Sequence, residues 1–145
     1  ESKQELGASE LAYMLQEESE EISGIGGAVP SIEPERNLFA YKALTKAIHS
    51  GLVASAHDCS EGGLTVAITE SCFGIDAGAE IDISLLREHD QNLNSWGILF
   101  GESLGRIVVS INPKNLELFE GIMENIACTR IGVVGENDIL SIRDE

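Results

Sequence analysis

The stretch Leu52-Val53-Ala54-Ser55-Ala56-His57-Asp58-Cys59-Ser60-Glu61-Gly62-Gly63-Leu64 decides the fold class. Residues 52–57 read as a short strand, and residues 58–63 form a tight polar turn. Residues 64–73 then read as a helix that is apolar on most sides, so it must be buried. A strand that turns directly into a buried helix belongs to a layered arrangement of helices on sheet.

The same turn carries chemistry. Ser60 stands where an N-cap belongs, and the N–H groups of Gly62, Gly63 and Leu64 are expected to point outward. Unpaired donors at a helix N-terminus attract phosphate, and glycine lets a ligand come close to the backbone. Asp58 repels a bare phosphate and suits one carrying Mg²⁺, or a hydroxyl donor such as a ribose. The spacing equally describes a capped helix after a tight turn, with no ligand. His57 fits a hydrogen-bonded residue at a strand end. His57, Asp58 and Cys59 are consecutive and alternate in direction, so they form neither a metal chelate nor a nucleophile–base pair.

Working outward, residues 35–50 form a helix with Leu38, Tyr41, Leu44, Ala47 and Ile48 on one stripe. Pro34 suits its first turn and Gly51 its end. Farther upstream, Ser9 caps a helix over residues 10–16, with Leu11 and Leu15 on one face. A charge cluster follows over residues 17–21, then a loop containing Gly24, Gly26 and Gly27 that lacks the Gly-Lys-Ser/Thr of a P-loop.

Downstream, strands are expected over residues 79–83, 106–111, 129–134 and 139–142. Residues 84–89 form a short helical piece, residues 91–96 a loop, and residues 98–105 have mixed character. A helix over residues 114–126 places Leu116, Phe119, Ile122, Met123 and Ile126 on one face. The order specifies an α+β fold, a layered α/β sandwich on a mostly antiparallel or mixed sheet, with residues 1–145 as a single domain.

A second candidate segment is Leu99-Phe100-Gly101-Glu102-Ser103-Leu104-Gly105-Arg106. Two glycines flank a polar pair at a strand entrance, where Glu102 suits ligand hydroxyls or a cation. The alternative is a β-bulge with an exposed glutamate. Arg106 is expected to pair with a surface carboxylate.

The chain has 145 residues, with 25 Asp plus Glu against 9 Lys plus Arg, for a formal net charge of −16. Nucleic-acid binding needs a basic face, and no cluster of Lys or Arg supplies one. An anionic membrane surface repels such a chain, and no apolar run approaches the roughly 20 residues of a membrane-spanning helix. The acidity fits solubility or a salt-rich host; it also fits carboxylates that hold divalent cations or meet a basic partner. Cys59, Cys72 and Cys128 lack any C-x-x-C spacing, which argues against structural zinc and for reduced thiols in a cytoplasmic protein. Starting at Glu1 without a signal-peptide pattern, the chain is expected to be a fragment of a longer one.

Three segments taken in order, residues 6–10, 55–64 and 99–110, resemble the C-terminal domain of the aminoimidazole ribonucleotide synthetase superfamily. The resemblance runs from about Leu6 to Ile142. His57-Asp58-x-Ser60-x-Gly62-Gly63-Leu64 is its most specific element, and Gly101-Glu102-Ser103 favours the phosphoribosylformylglycinamidine synthase branch. The resemblance implies ATP-dependent amidation in purine biosynthesis: formylglycinamide ribonucleotide, ATP and glutamine-derived ammonia give formylglycinamidine ribonucleotide. It implies ATP and Mg²⁺ as cofactors of the full-length enzyme. It also implies three partners: an N-terminal ATP-binding domain, a glutamine amidotransferase subunit and a small accessory subunit.

The candidate phosphate- or nucleotide-binding residues are His57, Asp58, Ser60, Gly62, Gly63, Glu102 and Ser103, with no catalytic residue and no metal ligand in this chain. Where the substrate-binding copy of the family has Glu-Ser-Gln, this chain has Glu102-Ser103-Leu104, which resembles the second, C-terminal copy. A domain of that copy alone is expected to be inactive. Other superfamily members sharing the domain are selenophosphate synthetase, a hydrogenase maturation factor and thiamine-phosphate kinase. A non-catalytic interaction domain is the alternative of a different class.

Overall fold

The computed structural model describes residues 5–18, 27–73, 77–89 and 93–144. Helix α1 (Glu10–Glu18) and the long α2 (Pro34–His49) lead into strand β1 (Val53–Asp58) and helix α3 (Gly63–Cys72). Strand β2 (Ala79–Asp82), a 3₁₀ turn (Ser84–His89), helix α4 (Ser95–Phe100) and strand β3 (Ile107–Ile111) follow. A second 3₁₀ turn (Pro113–Asn115), α5 (Leu116–Met123), β4 (Gly132–Val134) and β5 (Leu140–Arg143) complete the order.

Among the described residues the strands form two sheets. β1 pairs antiparallel with β3, with His57 opposite Val108 and a register shift between Val53 and Ser55. The other sheet has the order β4-β2-β5, with β2 antiparallel to β4 and parallel to β5, so it is mixed.

The core forms where α3 crosses between these sheets. Leu64, Ala67 and Ile68 from α3 cluster with Ala79 and Ile81 of β2, with Ile83 just after it, and with Leu93, Ile98 and Cys59. Burying such aliphatic side chains contributes about 1.5–3 kcal/mol each. Outside this cluster, Leu44 and Ala47 of α2 are buried, as is Phe119 of α5.

Three expectations need correction. The α2 stripe is not a uniform core face, because Leu38, Tyr41 and Ile48 remain exposed. Residues 95–100 are helix α4, neither loop nor mixed structure. Asn94 nucleates α4 by accepting the Gly97 N–H at 2.9 Å, an N-cap that a window lacking helical periodicity conceals. The expected strand over 129–134 is only three residues long, Gly132–Val134. Residues 19–21, Gly24, Gly26, Gln91 and Asn92 lie outside the described residues.

Gly63 is dictated by packing. Its φ is +65°, and a Cβ there would stand 2.8 Å from the Gly101 carbonyl oxygen and 2.9 Å from that of Leu99. Gly51 has a similar φ of +69° with no atom within 4 Å of such a Cβ. We therefore expect Gly51→Ala to lose about 1 kcal/mol in urea unfolding, from backbone strain alone. Gly63→Ala should lose about 3 kcal/mol or more, because α3 must also separate from α4. Equal losses in the two variants would show that the α3–α4 contact is not tight.

At the C-terminal end, Arg87 donates to both oxygens of Asp144, to Oδ2 at 2.7 Å, and the Ser95 hydroxyl donates to Oδ2 at 2.5 Å. Arg87, helped by Ser95, lowers the Asp144 carboxyl to about 2. A depressed carboxyl contributes stability above its unfolded value near 3.9, and that stability is lost as pH falls through the folded value. Asp144→Asn should thus lose about 1 kcal/mol at neutral pH, after allowance for solvent screening, and only a small fraction of that near pH 2, where the folded carboxyl is half protonated. A loss that is the same at both pH values in urea titrations would contradict the ion pair.

Candidate functional site

The β1–α3 turn and the loop before β3 face each other across a cleft of about 540 Å³. Asp58, Ser60, Glu61 and Glu102 supply its polar side, and Pro30, Tyr41, Leu104 and Ile107 its apolar side. These segments are distant in the sequence. The Cys59 N–H donates to the Arg106 carbonyl at 2.9 Å, and one carboxylate ties the turn to α1 as well: Glu102 Oε1 accepts the Gly62 N–H at 3.0 Å and the Glu10 N–H at 3.0 Å. Glu10 opens α1 and Gly62 is the N-cap of α3, so one anion serves two helix N-termini.

The turn differs from its sequence-based description. The N-cap of α3 is Gly62, held at φ +75°, and not Ser60. The Ser60 hydroxyl is instead donated to Asp58 Oδ2, because Ser60 lies two residues after Asp58 and three before the first helical residue. The Gly63 N–H goes to the Ser60 carbonyl at 3.0 Å. The expected outward display of the Gly62 and Gly63 donors is therefore absent; both are taken within the protein.

His57 is not part of the cleft lining. Its Nδ1 lies 2.7 Å from the Asp58 carbonyl oxygen and its Nε2 lies 3.0 Å from Glu70 Oε2 on α3. Strand alternation sends it away from Asp58. Ser103 is buried, with an unpartnered Oγ, and lines a different recess. Of the seven candidate residues, the structure thus gathers Asp58, Ser60 and Glu102 at the cleft, with Gly62 and Gly63 behind them.

Asp58 is exposed, and the Ser60 hydroxyl bond, then its own backbone, hold its carboxyl below the usual range. Arg106 forms no carboxylate pair. It is buried at the cleft floor and donates to the Gly101 and Ile98 carbonyls at 2.8 Å each, closing the C-terminal end of α4. Burial lowers its guanidinium below the ordinary value. Burial raises the Cys59 thiol, against a weaker opposing effect of Arg106, which suits packing and not nucleophilic attack.

Sequence reasoning missed Tyr41 as a cleft wall. It sits on the α2 stripe beside true core positions, so periodicity alone assigned it inward. Pro30 and Ile107 offered no chemical signal, and Leu104 stood out only by comparison with the family's Glu-Ser-Gln.

The polar wall suits ligand hydroxyls, or phosphate whose charge a cation has neutralised. Asp58 and Glu61 are the carboxylates placed to hold such a cation. Among the described residues, no three His, Cys, Asp or Glu side chains converge as a ready-made metal site. A Mg²⁺ ion would therefore draw most of its ligands from phosphate and water, which is its usual habit.

The sequence profile of the family described as AIR synthase related protein, C-terminal domain, matches residues 2–145. Phosphoribosylformylglycinamidine synthase subunit PurL of Lactobacillus helveticus (strain DPC 4571) is 40% identical over 139 residues, 96% of this chain. The chain spans only 17% of that relative's length. The PurLQS structure from Thermotoga maritima superposes with a TM-score of 0.68 at 21% identity, covering 80% of this chain and 20% of that one. T. maritima PurL complexed with ATP superposes with a TM-score of 0.58 at 21% identity, covering 74% of this chain and 18% of that one. Identities this low establish the shared fold.

The double acceptor role of Glu102 predicts a graded mutational response. Glu102→Gln keeps one carbonyl acceptor and should lose about 1 kcal/mol of stability; Glu102→Ala leaves both N–H groups without it and should lose about 2 kcal/mol or more. Denaturant midpoints for the two variants check this. Equal stability of wild type and Glu102→Ala would show that the carboxylate does not join the segments.

Proposed function

The chain belongs to the family of AIR synthase related protein C-terminal domains, and from that premise we propose that it is the C-terminal domain of a phosphoribosylformylglycinamidine synthase. The observation that carries the proposal is the identity with L. helveticus PurL along almost the whole chain. The complete enzyme would join ammonia to formylglycinamide ribonucleotide at the expense of ATP. Its further parts would be an N-terminal ATP-binding domain, a glutamine amidotransferase subunit and a small accessory subunit, working in the cytoplasm.

Within that enzyme we assign these 145 residues, as one domain, to the second, C-terminal copy. Leu104 supports the assignment: its side chain forms apolar cleft wall where the substrate-binding copy carries glutamine. Tyr41 and Leu104 provide a surface for a flat ring, and Asp58 and Glu61 provide acceptors for ribose hydroxyls or a Mg²⁺-bound phosphate. Bound there, Mg²⁺ would neutralise phosphate charge. The one hydroxyl–carboxylate pair of the cleft is Ser60 with Asp58, whose carboxyl is held below the usual range and is a weak base, so the domain shapes and positions, and does not turn over alone.

The test uses the natural full-length protein with formylglycinamide ribonucleotide, ATP, Mg²⁺ and an ammonium salt. ADP release and formylglycinamidine ribonucleotide should both appear, while the 145-residue segment alone yields neither. ATP-dependent phosphorylation of a different acceptor, with no amidine product, would move the protein to another branch of the family.

A further inference from the structure

A second recess lies where the start of the chain, the N-terminal end of α2 and the loop before β3 meet. Its polar lining is Glu5, Ser31, Glu33, Arg36, Asn37 and Ser103, Leu104 completes the wall, and its volume is about 20 Å³. That is room for one water or one dehydrated ion. Glu5 is only 8% exposed and Ser103 only 2%. Glu5 Oε1 accepts the Ser31 N–H at 3.2 Å and the Ser31 hydroxyl at 3.0 Å. Glu5 Oε2 and Ser103 Oγ are both buried with no hydrogen-bond partner.

Two unsatisfied oxygens on one small void require an occupant. A water would satisfy hydrogen bonds but leave the charge of Glu5 uncompensated, and a buried carboxylate without a counter-charge is strongly disfavoured. The cation on the recess wall, Arg36, is engaged with Glu33 at 3.4 Å. Among the described residues of its lining, two carboxylates face one guanidinium. The amide group of Asn37 offers a further oxygen, which lies against Gly105, 2.8 Å from where a Cβ would stand. The recess supplies one buried carboxylate, Glu5, whose single charge matches a monovalent ion better than Mg²⁺ or Ca²⁺, which usually draw on more carboxylate or phosphate charge.

We propose that this recess is a monovalent-cation site in which Glu5 Oε2, Ser103 Oγ and Asn37 coordinate one Na⁺ or K⁺ ion. The ion links the start of the chain and α2 to the Gly101–Arg106 loop. The recess and the cleft share Leu104 as a wall, but the ion reading does not depend on the nucleotide proposal.

Hydrogen exchange of the natural full-length protein tests this. Amides around Glu5 and Ser103 are followed in KCl, NaCl and N-methylglucamine chloride at equal ionic strength. For a site half-filled near 10 mM, exchange should be roughly tenfold slower at about 100 mM Na⁺ or K⁺ than in N-methylglucamine. Glu5→Gln keeps the side-chain shape, and it should abolish the difference while amides in α3 stay protected; Ser103→Ala should reduce it. Equal exchange of the wild-type protein in all three salts overturns the proposal in favour of a trapped water. So does a folded Glu5→Gln variant that still distinguishes the salts. The wild-type comparison decides even if a variant fails to fold.

Discussion

The arrangement at the cleft depends on one carboxylate. Glu102 Oε1 accepts from the first residue of α1 and from the N-cap of α3. Helix N-termini carry unpaired N–H groups and a partial positive charge, and two of them side by side repel. An anion between them removes both problems at once. In many proteins a ligand phosphate fills that role; here the chain supplies the anion itself. The turn that looks like a phosphate cradle in the sequence is therefore closed from within. What faces the cleft is the acidic edge formed by Asp58 and Glu61, not a nest of N–H donors.

Glu102 can take this position because its loop is anchored from below. Arg106, buried four residues later, binds the carbonyls of Ile98 and Gly101 at the end of α4. The same α4 carbonyl region presses on Gly63, where a Cβ would not fit. The loop thus touches α3 twice, through Glu102 above and through the Leu99–Gly101 backbone below. Thr65 adds a third tie, donating its hydroxyl to the Leu99 carbonyl at 3.2 Å. α3 also carries core residues toward the mixed sheet, so the geometry of the cleft is coupled to the main hydrophobic cluster.

The sequence exposes this design unevenly. Long periodic elements were legible: the expected helix over 35–50 is Pro34–His49, because Pro34 and Gly51 punctuate it and its pattern spans more than four turns. The strand–turn–helix of residues 52–73 was legible for the same reason, since strand and buried helix have different periods. The short α4 was not, because six residues present too little periodicity, and its cap is a single asparagine. The candidate residues were found as chemical types, but their partners were not. Whether Glu102 meets a ligand or two backbone N–H groups depends on a contact spanning 92 residues to Glu10, which no local pattern encodes. Arg106 misled for a related reason: a guanidinium in an acidic chain suggests a carboxylate, whereas burial favoured carbonyls at a helix end.

The excess of acid has a structural logic beyond solubility. With only nine Lys and Arg in the chain, most carboxylates cannot find a cation. Several find N–H and O–H groups instead. Asp58 accepts from Ser60, and Asp82 from the backbone and hydroxyl of Ser84, so an Asp-x-Ser turn follows both β1 and β2. In each, the serine bond is the largest influence lowering the aspartate. Glu102 and Glu5 repeat the idea over longer distances, toward Gly62 and Ser31. Asp82 also pairs with Arg143 at 3.1 Å, but Asp58, Glu102 and Glu5 are held by neutral donors that leave their charge uncancelled. The negative field therefore survives at the two openings where carboxylates cluster. At the cleft it favours hydroxyls and metal-bound phosphates over bare anions, and in the recess beside Glu5 it favours a small cation.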